Sequence, residues 1–339
     1  MSRATIDDVA ALAGESVATV SRALRNQPYV AESTRSKVAQ AAATLHYVAD
    51  TNAARLASGK SQTIGLLAPI LTSWYTGEVV AGVEEVLQVA GYDLLIGVAS
   101  LASREQLMLG EIGFRQRVDG MILVDVFCGD RGAEALQRSD VDFVVIGERL
   151  SNTASLSIDN QYGAELATRH LIELGHSAIA LVGGELEGSL HSTVPPQRLA
   201  GYRRAMASAG LSPDPMLHVA GGFTIEGGHE ATRYLMSLAS PPTAIFCLSD
   251  EMAFGVLQAA REMHLDVPGQ LSVIGFDDHP ASVAFGLSTV RQPVRRIGRL
   301  GAEMMLHSLA GSTEIGHMAV PVEVIQRNSS AARAAQSAG

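Results

Sequence analysis

The sequence is poor in cysteine and has no long apolar segment. Cys128 and Cys247 are the only cysteines among 339 residues, and neither has a CxxC motif or a His-rich neighbour. Such isolated thiols favour buried free cysteines over a disulfide or a metal site. No stretch approaches the roughly 18 uninterrupted apolar residues of a membrane span. The start, MSRATIDDVAALAG, contains acids and lacks the apolar core of a signal peptide, so we expect a cytoplasmic protein without membrane association.

Motifs for catalysis are also missing. The sequence has no Walker loop, no G-x-G-x-x-G after a strand and no HExxH, and its ten histidines are scattered without ligand spacing. The segment GESVA at 14–18 resembles a nucleophile elbow, but it ends in alanine and no apolar strand precedes it. We therefore expect no enzymatic activity, no cofactor and no metal.

Positive charge is scarce and unevenly placed. The chain has a formal net charge of −10. Residues 1–60 hold seven Lys or Arg against five acids, a net of +2, whereas the rest holds 18 against 30, a net of −12. A mildly basic head on an acidic body can bind a polyanion locally while the body suppresses indiscriminate binding. The charge split alone leaves nucleic-acid binding an open alternative.

The first 46 residues read as three short helices, predicted at 6–13, 17–25 and 31–46. Two short helices joined by a three-residue turn that contains glycine are typical of a helix-turn-helix unit. The Ala-rich segment 47–61 reads as a linker that becomes helical only when a partner supports it, because so short a lone helix is marginal in water.

The second helix carries the candidate DNA-reading surface. Helical spacing places Val17, Ala18, Ser21 and Arg22 on one exposed face. Small apolar groups suit thymine methyls, and arginine can make a bidentate contact to guanine. Four further residues stand where hydroxyls, helix N-termini and a cation could hold phosphates: Thr5, Ser16, Thr19 and Arg25. The alternative is a surface helix that happens to carry an arginine.

The chain beyond residue 61 alternates apolar runs with helix-period stretches. The runs of strand length are 63–70, 93–100, 120–126, 143–148, 178–184, 244–250 and 271–278. Helix-period stretches at 78–91, 162–175 and 251–263 lie between them. This alternation predicts parallel sheets covered on both faces, and the length favours two α/β lobes over one. The small polar residues 330–339 predict a disordered tail.

Several motifs in order resemble the lactose/galactose repressor (LacI/GalR) family. They are TIDDVAALAGESVATVSRALRNQPYVAESTRSKV at 5–38, LHYVADTNAARL at 45–56, DNQYGAELATRHLIELGH at 159–176, QRLAGYRRAM at 197–206, SDEMAFGVLQAARE at 249–262, GFDD at 275–278 and STVRQP at 288–293. The resemblance implies a small all-α helix-turn-helix headpiece followed by a two-lobed, periplasmic-binding-protein-like α/β domain with parallel sheets.

The resemblance also implies how the headpiece binds DNA. Family members are dimers that place two recognition helices in successive major grooves of a pseudo-palindrome. Leu56 matches the leucine wedged into the minor groove by a hinge helix, and Ala53 matches the small residue where paired hinge helices meet. A core position in the lobe below is the alternative for Leu56. Glu15 in the turn and the Ala49-Asp50 pair depart from the family pattern.

The expected domains are a headpiece at 1–46, a hinge linker at 47–61 and an effector-binding and dimerisation domain at 62–329. Its lobes are expected at about 62–158 plus 291–320 and at 159–290 plus 321–329, with the effector between them. Candidate effector contacts are the aromatic residues Trp74, Tyr75 and Phe223, the charged residues Asp125, Arg149, Arg198 and Asp277, and Ser249, which replaces a common Asn. Asp159 is a further candidate, with a helix cap as an equal alternative.

These expectations define a ligand-responsive transcriptional regulator. We predict a repressor that binds double-stranded operator DNA as a homodimer and responds to a small effector, a mono- or disaccharide. A sugar-binding protein without a DNA role is the alternative, but it would have no use for residues 1–60.

Overall fold

The computed structural model describes residues 4–24, 27–47, 60–99, 117–126, 134, 138, 141–150, 153–184, 193–312 and 316–333. The chain divides into two compact units, Met1–Ser61 and Gln62–Gly339. This division falls where the composition and the sign of the charge change along the sequence.

The first unit contains three helices, α1 (Ile6–Ala13), α2 (Val17–Leu24) and α3 (Glu32–Thr44). A capping box begins α1: the Asp8 carboxylate accepts from the Thr5 backbone amide at 2.8 Å, and the Thr5 hydroxyl accepts from the Asp8 amide at 3.3 Å. One buried valine from each helix, Val9, Val20 and Val38, forms the centre of a small core. These contacts fix the orientation of α2 and thereby of its outer face.

The first sheet of the second unit is entirely parallel, with strand order β11-β5-β4-β3-β1-β2. Its strands are β1 (Thr63–Ala68), β2 (Asp93–Val98), β3 (Gly120–Val124), β4 (Asp142–Ile146), β5 (Ala154–Ile158) and β11 (His317–Val320). Helices α4 (Trp74–Ala90) and α10 (Val294–Leu309) pack against each other and against this sheet. Their backbones approach closely, because a Cβ at Gly298 would overlap the Val79 carbonyl.

The second sheet has strand order β12-β10-β9-β8-β6-β7, and only the β10–β12 pair is antiparallel. Its strands are β6 (Ile179–Gly183), β7 (His218–Ala220), β8 (Ala244–Cys247), β9 (Ser272–Asp277), β10 (Ser288–Arg291) and β12 (Glu323–Ile325). The helices of this lobe are α5 (Asn160–Glu173), α6 (Val194–Ser208), α7 (Ile225–Met236), α8 (Asp250–Glu262) and α9 (Ala281–Ala284), with a 3-10 turn at Pro215–Leu217. Cys247 is a buried free thiol, and Cys128 lies outside the described residues.

The predicted α/β class with parallel sheets is confirmed, and each predicted apolar run overlaps a strand. The chain passes between the sheets three times: after β5, after β10 and after β11. Five strands escaped prediction, namely β5, β7, β10, β11 and β12. Four of them have only three or four residues, and β5 (ASLSI) is interrupted by serine, so none forms a long apolar run.

The structure corrects the predicted start of the disordered tail at residue 330. Ser330 is buried, and its hydroxyl lies 2.8 Å from that of Ser288. The Ala331 amide donates to Ser272 Oγ at 3.2 Å, and the Arg333 amide donates to the Leu174 carbonyl at 2.7 Å. Small polar residues read as disorder in the sequence, but here they satisfy backbone groups beside the second sheet. Residues 334–339 lie outside the described part of the chain.

Helices α5 and α6 are in close contact at Gly201. A Cβ at this position would overlap the Gln161 carbonyl and would lie 2.9 Å from the Ala164 side chain. This approach holds α6 against the second lobe and positions the side chains at its N-terminal end.

We expect Gly201→Ala to lower the free energy of unfolding by about 2 to 3 kcal/mol, because the new methyl group meets backbone. Gly77→Ala is the matched control: a Cβ added at this position of α4 would meet nothing within 4 Å, and we expect the variant to be about 0.5 to 1 kcal/mol more stable than wild type. Urea unfolding followed by circular dichroism measures both. Equal effects of the two substitutions would contradict the close contact.

Candidate functional site

A cavity of about 320 Å³ lies between the two sheets of the second unit. Residues at or just beyond the carboxyl ends of several strands line it, including Asp125 after β3, Gly147 after β4, Asp277 at the end of β9 and Gln292 after β10. Ligands of α/β proteins bind at this edge of the sheet. The sequence-predicted residues that the structure brings together here are Tyr75, Asp125, Arg198, Phe223, Ser249 and Asp277.

Arg198 is held in one orientation by several partners. Its Nε donates to Asn160 Oδ1 at 2.9 Å, and its Nη1 donates to the Leu248 carbonyl. Its guanidinium lies 3.5 Å from the centroid of the Phe276 ring, and its Nη1 lies 3.9 Å from Asp277 Oδ1. The side chain is therefore a preorganised donor at the wall of the cavity.

Burial raises the pKa of the cavity carboxyls. The pKa of Asp277 rises to about 8 and that of Asp125 to about 6, because desolvation outweighs the opposing charge of Arg198. Gln292 Nε2 donates to Asp277 Oδ1 at 2.6 Å, which favours the ionised form. Burial also raises the pKa of Glu251. The cavity thus combines three carboxyl groups with one guanidinium among its described lining residues.

Two aromatic side chains form an apolar part of the cavity wall. Tyr75 extends from the first turn of α4, and burial raises its pKa well above the usual value, so the phenol is neutral. Phe223 has φ +57°, and its ring fills the space beside Gly184, where a Cβ would lie 3.2 Å from Phe223 Cδ2. Asp125, with φ +50°, also has left-handed backbone. Such conformations cluster at binding sites because the surrounding structure compensates their strain.

The structure places three predicted effector contacts outside the cavity. Trp74 contacts His279 in a tilted arrangement with ring centroids 4.7 Å apart, because consecutive helical residues point in different directions and of this pair only Tyr75 faces the cavity. Arg149 is exposed, and its charge acts on His317 at the β11 edge. Asp159 caps α5 by accepting from the Tyr162 amide at 2.8 Å, which is the alternative role that the sequence left open.

Sequence reasoning missed several polar residues that line the cavity: Ser73, Thr76, Ser157, Asn160, Glu251 and Gln292. Five of them adjoin predicted positions or lie in the family motifs: Ser73 and Thr76 flank the Trp74-Tyr75 pair, Asn160 follows Asp159, Glu251 lies in the motif at 249–262 and Gln292 in STVRQP. Proximity to these positions in the sequence could have identified them as candidates. Ser157 could not be found in this way because β5 itself was not predicted.

In the first unit, Val17, Ala18 and Arg22 are exposed on α2, while Ser21 is half-buried. Val20, on the opposite side, is buried. At the start of the helix, Ser16 Oγ accepts from the Thr19 amide at 3.2 Å and lies 2.9 Å from the Thr19 hydroxyl. Thr5 is exposed, with its hydroxyl engaged in the α1 capping box.

Three predicted DNA contacts, Arg25, Ala53 and Leu56, lie outside the described residues, as does most of the hinge linker. Over the described ranges, no helix has the length and apolar character to cross a membrane. Within those same ranges, no cluster of three or more His, Cys, Asp or Glu side chains could hold a metal ion.

Comparisons with known proteins agree with this architecture. The family model "bacterial regulatory proteins, lacI family" matches residues 5–50, and a periplasmic binding protein-like domain matches residues 168–330. The transcriptional repressor PurR of Vibrio campbellii is 34% identical over 315 residues, covering 90% of this chain and 92% of the relative. The chain therefore belongs to the LacI family of bacterial regulatory proteins, which confirms the resemblance found in the sequence.

Solved structures show the same fold. A lac repressor dimer bound to operator and the anti-inducer ONPF has a TM-score of 0.86 at 27% identity, covering 98% of this chain and 100% of that one. A complex of the transcriptional regulator CelR with cellobiose has a TM-score of 0.69 at 30% identity, covering 96% of this chain and 100% of that one. Both likenesses extend over nearly the full sequence.

We expect Asp125→Asn to stabilise the protein in a pH-dependent manner. Because burial raises the native pKa to about 6, the stability associated with the protonated carboxyl is present below the unfolded pKa and is lost as pH rises through 6. The variant should exceed wild type by about 2 kcal/mol at pH 8, with the gain shrinking towards pH 4. Denaturant unfolding measures this difference, and Asp142→Asn, at the exposed first residue of β4, is the control. A gain that does not change with pH would contradict the assignment.

Proposed function

We propose that this chain is a ligand-responsive repressor that binds a pseudo-palindromic operator as a homodimer in the cytoplasm. One observation carries the proposal: the same chain joins a helix-turn-helix unit, with Val17, Ala18 and Arg22 exposed on α2, to a two-lobed domain with a polar cavity. The operator-bound lac repressor dimer and the repressor PurR support it.

On the DNA side, α2 reads the major groove. Val17 and Ala18 contact thymine methyls, while Arg22 donates to guanine. Ser16, at the N-terminus of α2, and Thr19 hold phosphates, as does Thr5 at the start of α1. Arg25 in phosphate contact, and Ala53 and Leu56 in a hinge helix, complete the proposed DNA contacts.

On the ligand side, the cavity selects a neutral, hydroxylated small molecule. The carboxyls of Asp125 and Asp277 and the guanidinium of Arg198 offer acceptors and donors for hydroxyls, while Tyr75 and Phe223 offer faces for an apolar sugar surface. The one guanidinium among the described cavity residues, Arg198, already has protein partners, which leaves little positive charge for an anionic ligand. The volume, about 320 Å³, is at the lower end of the range for ligand sites. These properties favour a saccharide, and the cellobiose complex of CelR supports that class.

The ligand controls operator affinity only through different affinities for two arrangements of the lobes. One arrangement supports paired hinge helices and the other does not. Whether the effector releases or promotes operator binding is decided by measuring DNA affinity with and without it.

We expect the wild-type protein to bind pseudo-palindromes selected from a random DNA pool, and Arg22→Ala to bind them about tenfold or more weakly. The loss follows from removal of a bidentate base contact. Gel shifts at physiological salt with excess non-specific competitor measure the affinities, with Arg204→Ala, an exposed arginine on α6, as control. Absence of sequence-dependent binding by wild type would favour a sugar-binding protein without a DNA role.

We expect a neutral mono- or disaccharide to raise the melting temperature, because a ligand at a hundredfold excess over its Kd stabilises by about 2.7 kcal/mol. A thermal-shift screen should include purines and, for each saccharide, an anionic derivative such as the uronate, which should bind less tightly. Phe223→Ala should abolish the shift and leave operator binding intact, whereas Tyr162→Ala, an exposed aromatic residue of α5, should retain both. A shift with purines alone would contradict the saccharide class.

A further inference from the structure

The single tryptophan of the sequence makes a contact between the two lobes. Trp74 is the first residue of α4 in the first lobe, and its ring lies 4.7 Å from that of His279 with an interplanar angle of 52°. His279 follows β9 in the second lobe. The pair is therefore an aromatic contact that links segments carried by different sheets.

A third residue of the second lobe lies close to the Trp74 backbone. This is Glu251, in the first turn of α8, since that backbone lowers the pKa of its carboxyl against the larger effect of burial. Glu251 lines the effector cavity, and together with His279 and Phe254 it also lines a groove of about 600 Å³ on the second lobe. We call Trp74, His279 and Glu251 the interlobe clasp.

The second-lobe side of the clasp is rigid. The His279 amide donates to Asp250 Oδ2 at 2.8 Å, and His279 Nδ1 accepts from the Ala281 amide at 3.0 Å. Buried Asp250 also accepts from the hydroxyls of Ser282, at 2.7 Å, and Thr289, at 2.6 Å. The Phe254 ring meets His279 edge-on, with centroids 5.3 Å apart. The imidazole is thus a fixed platform for Trp74.

The first-lobe side of the clasp is connected to the ligand. Tyr75, which lines the cavity, is the next residue after Trp74 in the same helical turn. A shift of this helical turn on ligand binding moves Tyr75 and Trp74 together, because both side chains start from one short stretch of helix backbone.

We propose that the interlobe clasp stabilises the closed arrangement of the two lobes and couples occupancy of the cavity to it. The coupling to a saccharide rests on the proposed function, whereas the closing role does not. An aromatic pair of this kind changes the ratio of closed to open molecules by about twofold to tenfold. Trp74 and His279 are positioning residues in this scheme, since neither lines the cavity itself.

The lone tryptophan is a direct reporter of the clasp in the full-length, ligand-free protein. We expect His279→Ala to shift the Trp74 emission to the red and to increase its acrylamide quenching constant about twofold or more. His279→Phe should retain values close to wild type, because it restores the ring. His218→Ala, a half-buried histidine on edge strand β7, should have no effect. Unchanged emission and quenching in a folded His279→Ala protein would overturn the contact.

Hydrogen exchange tests whether the contact closes the lobes. In His279→Ala, we expect faster exchange at cavity-facing segments of both lobes, around Tyr75 and around Phe223, with no change in His218→Ala. Faster exchange confined to the residues next to position 279 would show a local contact only and would overturn the closing role. Neither measurement uses DNA or a sugar, so its outcome is independent of the operator and saccharide experiments.

Discussion

The buried guanidinium of Arg198 is the constraint on which the site depends. A charge removed from water must be paired and hydrogen-bonded, or the fold loses several kcal/mol. Asn160 at the start of α5, the Leu248 carbonyl after β8 and Asp277 at the end of β9 meet this requirement together. Because these groups come from separate segments, pairing one side chain fixes the mutual positions of the ends of β8 and β9 and the start of α5.

The charge of Arg198 does not fully compensate for the burial of the cavity carboxyls. Arg198 faces both Asp277 and Asp125, and burial still raises the pKa of each carboxyl. Ligand hydroxyls can donate to these carboxyls where water is excluded, so an occupied, closed cavity is favoured over an empty, closed one. In the proposed scheme, the contact of Trp74 with His279 adds to the energy that favours closure.

The fold could be predicted further from sequence than the site could. Long apolar runs such as 63–70 and 271–278 predict buried parallel strands because both faces are covered, whereas a three-residue strand such as His218–Ala220 has no pattern to detect. Tyr75 and Trp74 show the limit for the site: the motif predicted an aromatic pair, but only the direction of the helix decides which ring enters the cavity. The prediction for Ser330 failed for a similar reason: its partner Ser288 lies far away in the sequence, so no local pattern reveals the contact.

The uneven charge of the chain suits the two proposed binding functions, one for DNA and one for a small ligand. The +2 of residues 1–60 is small for a DNA-binding unit, so in the proposed function sequence discrimination rests on base contacts from α2 and not on net charge. The −12 of the remaining chain opposes non-specific contact with phosphates. Within that acidic body, the one cation among the described cavity residues, Arg198, already has protein partners, so the proposed ligand site offers little positive charge to an anion. In the proposed function, the charge distribution therefore contributes to selectivity at both sites.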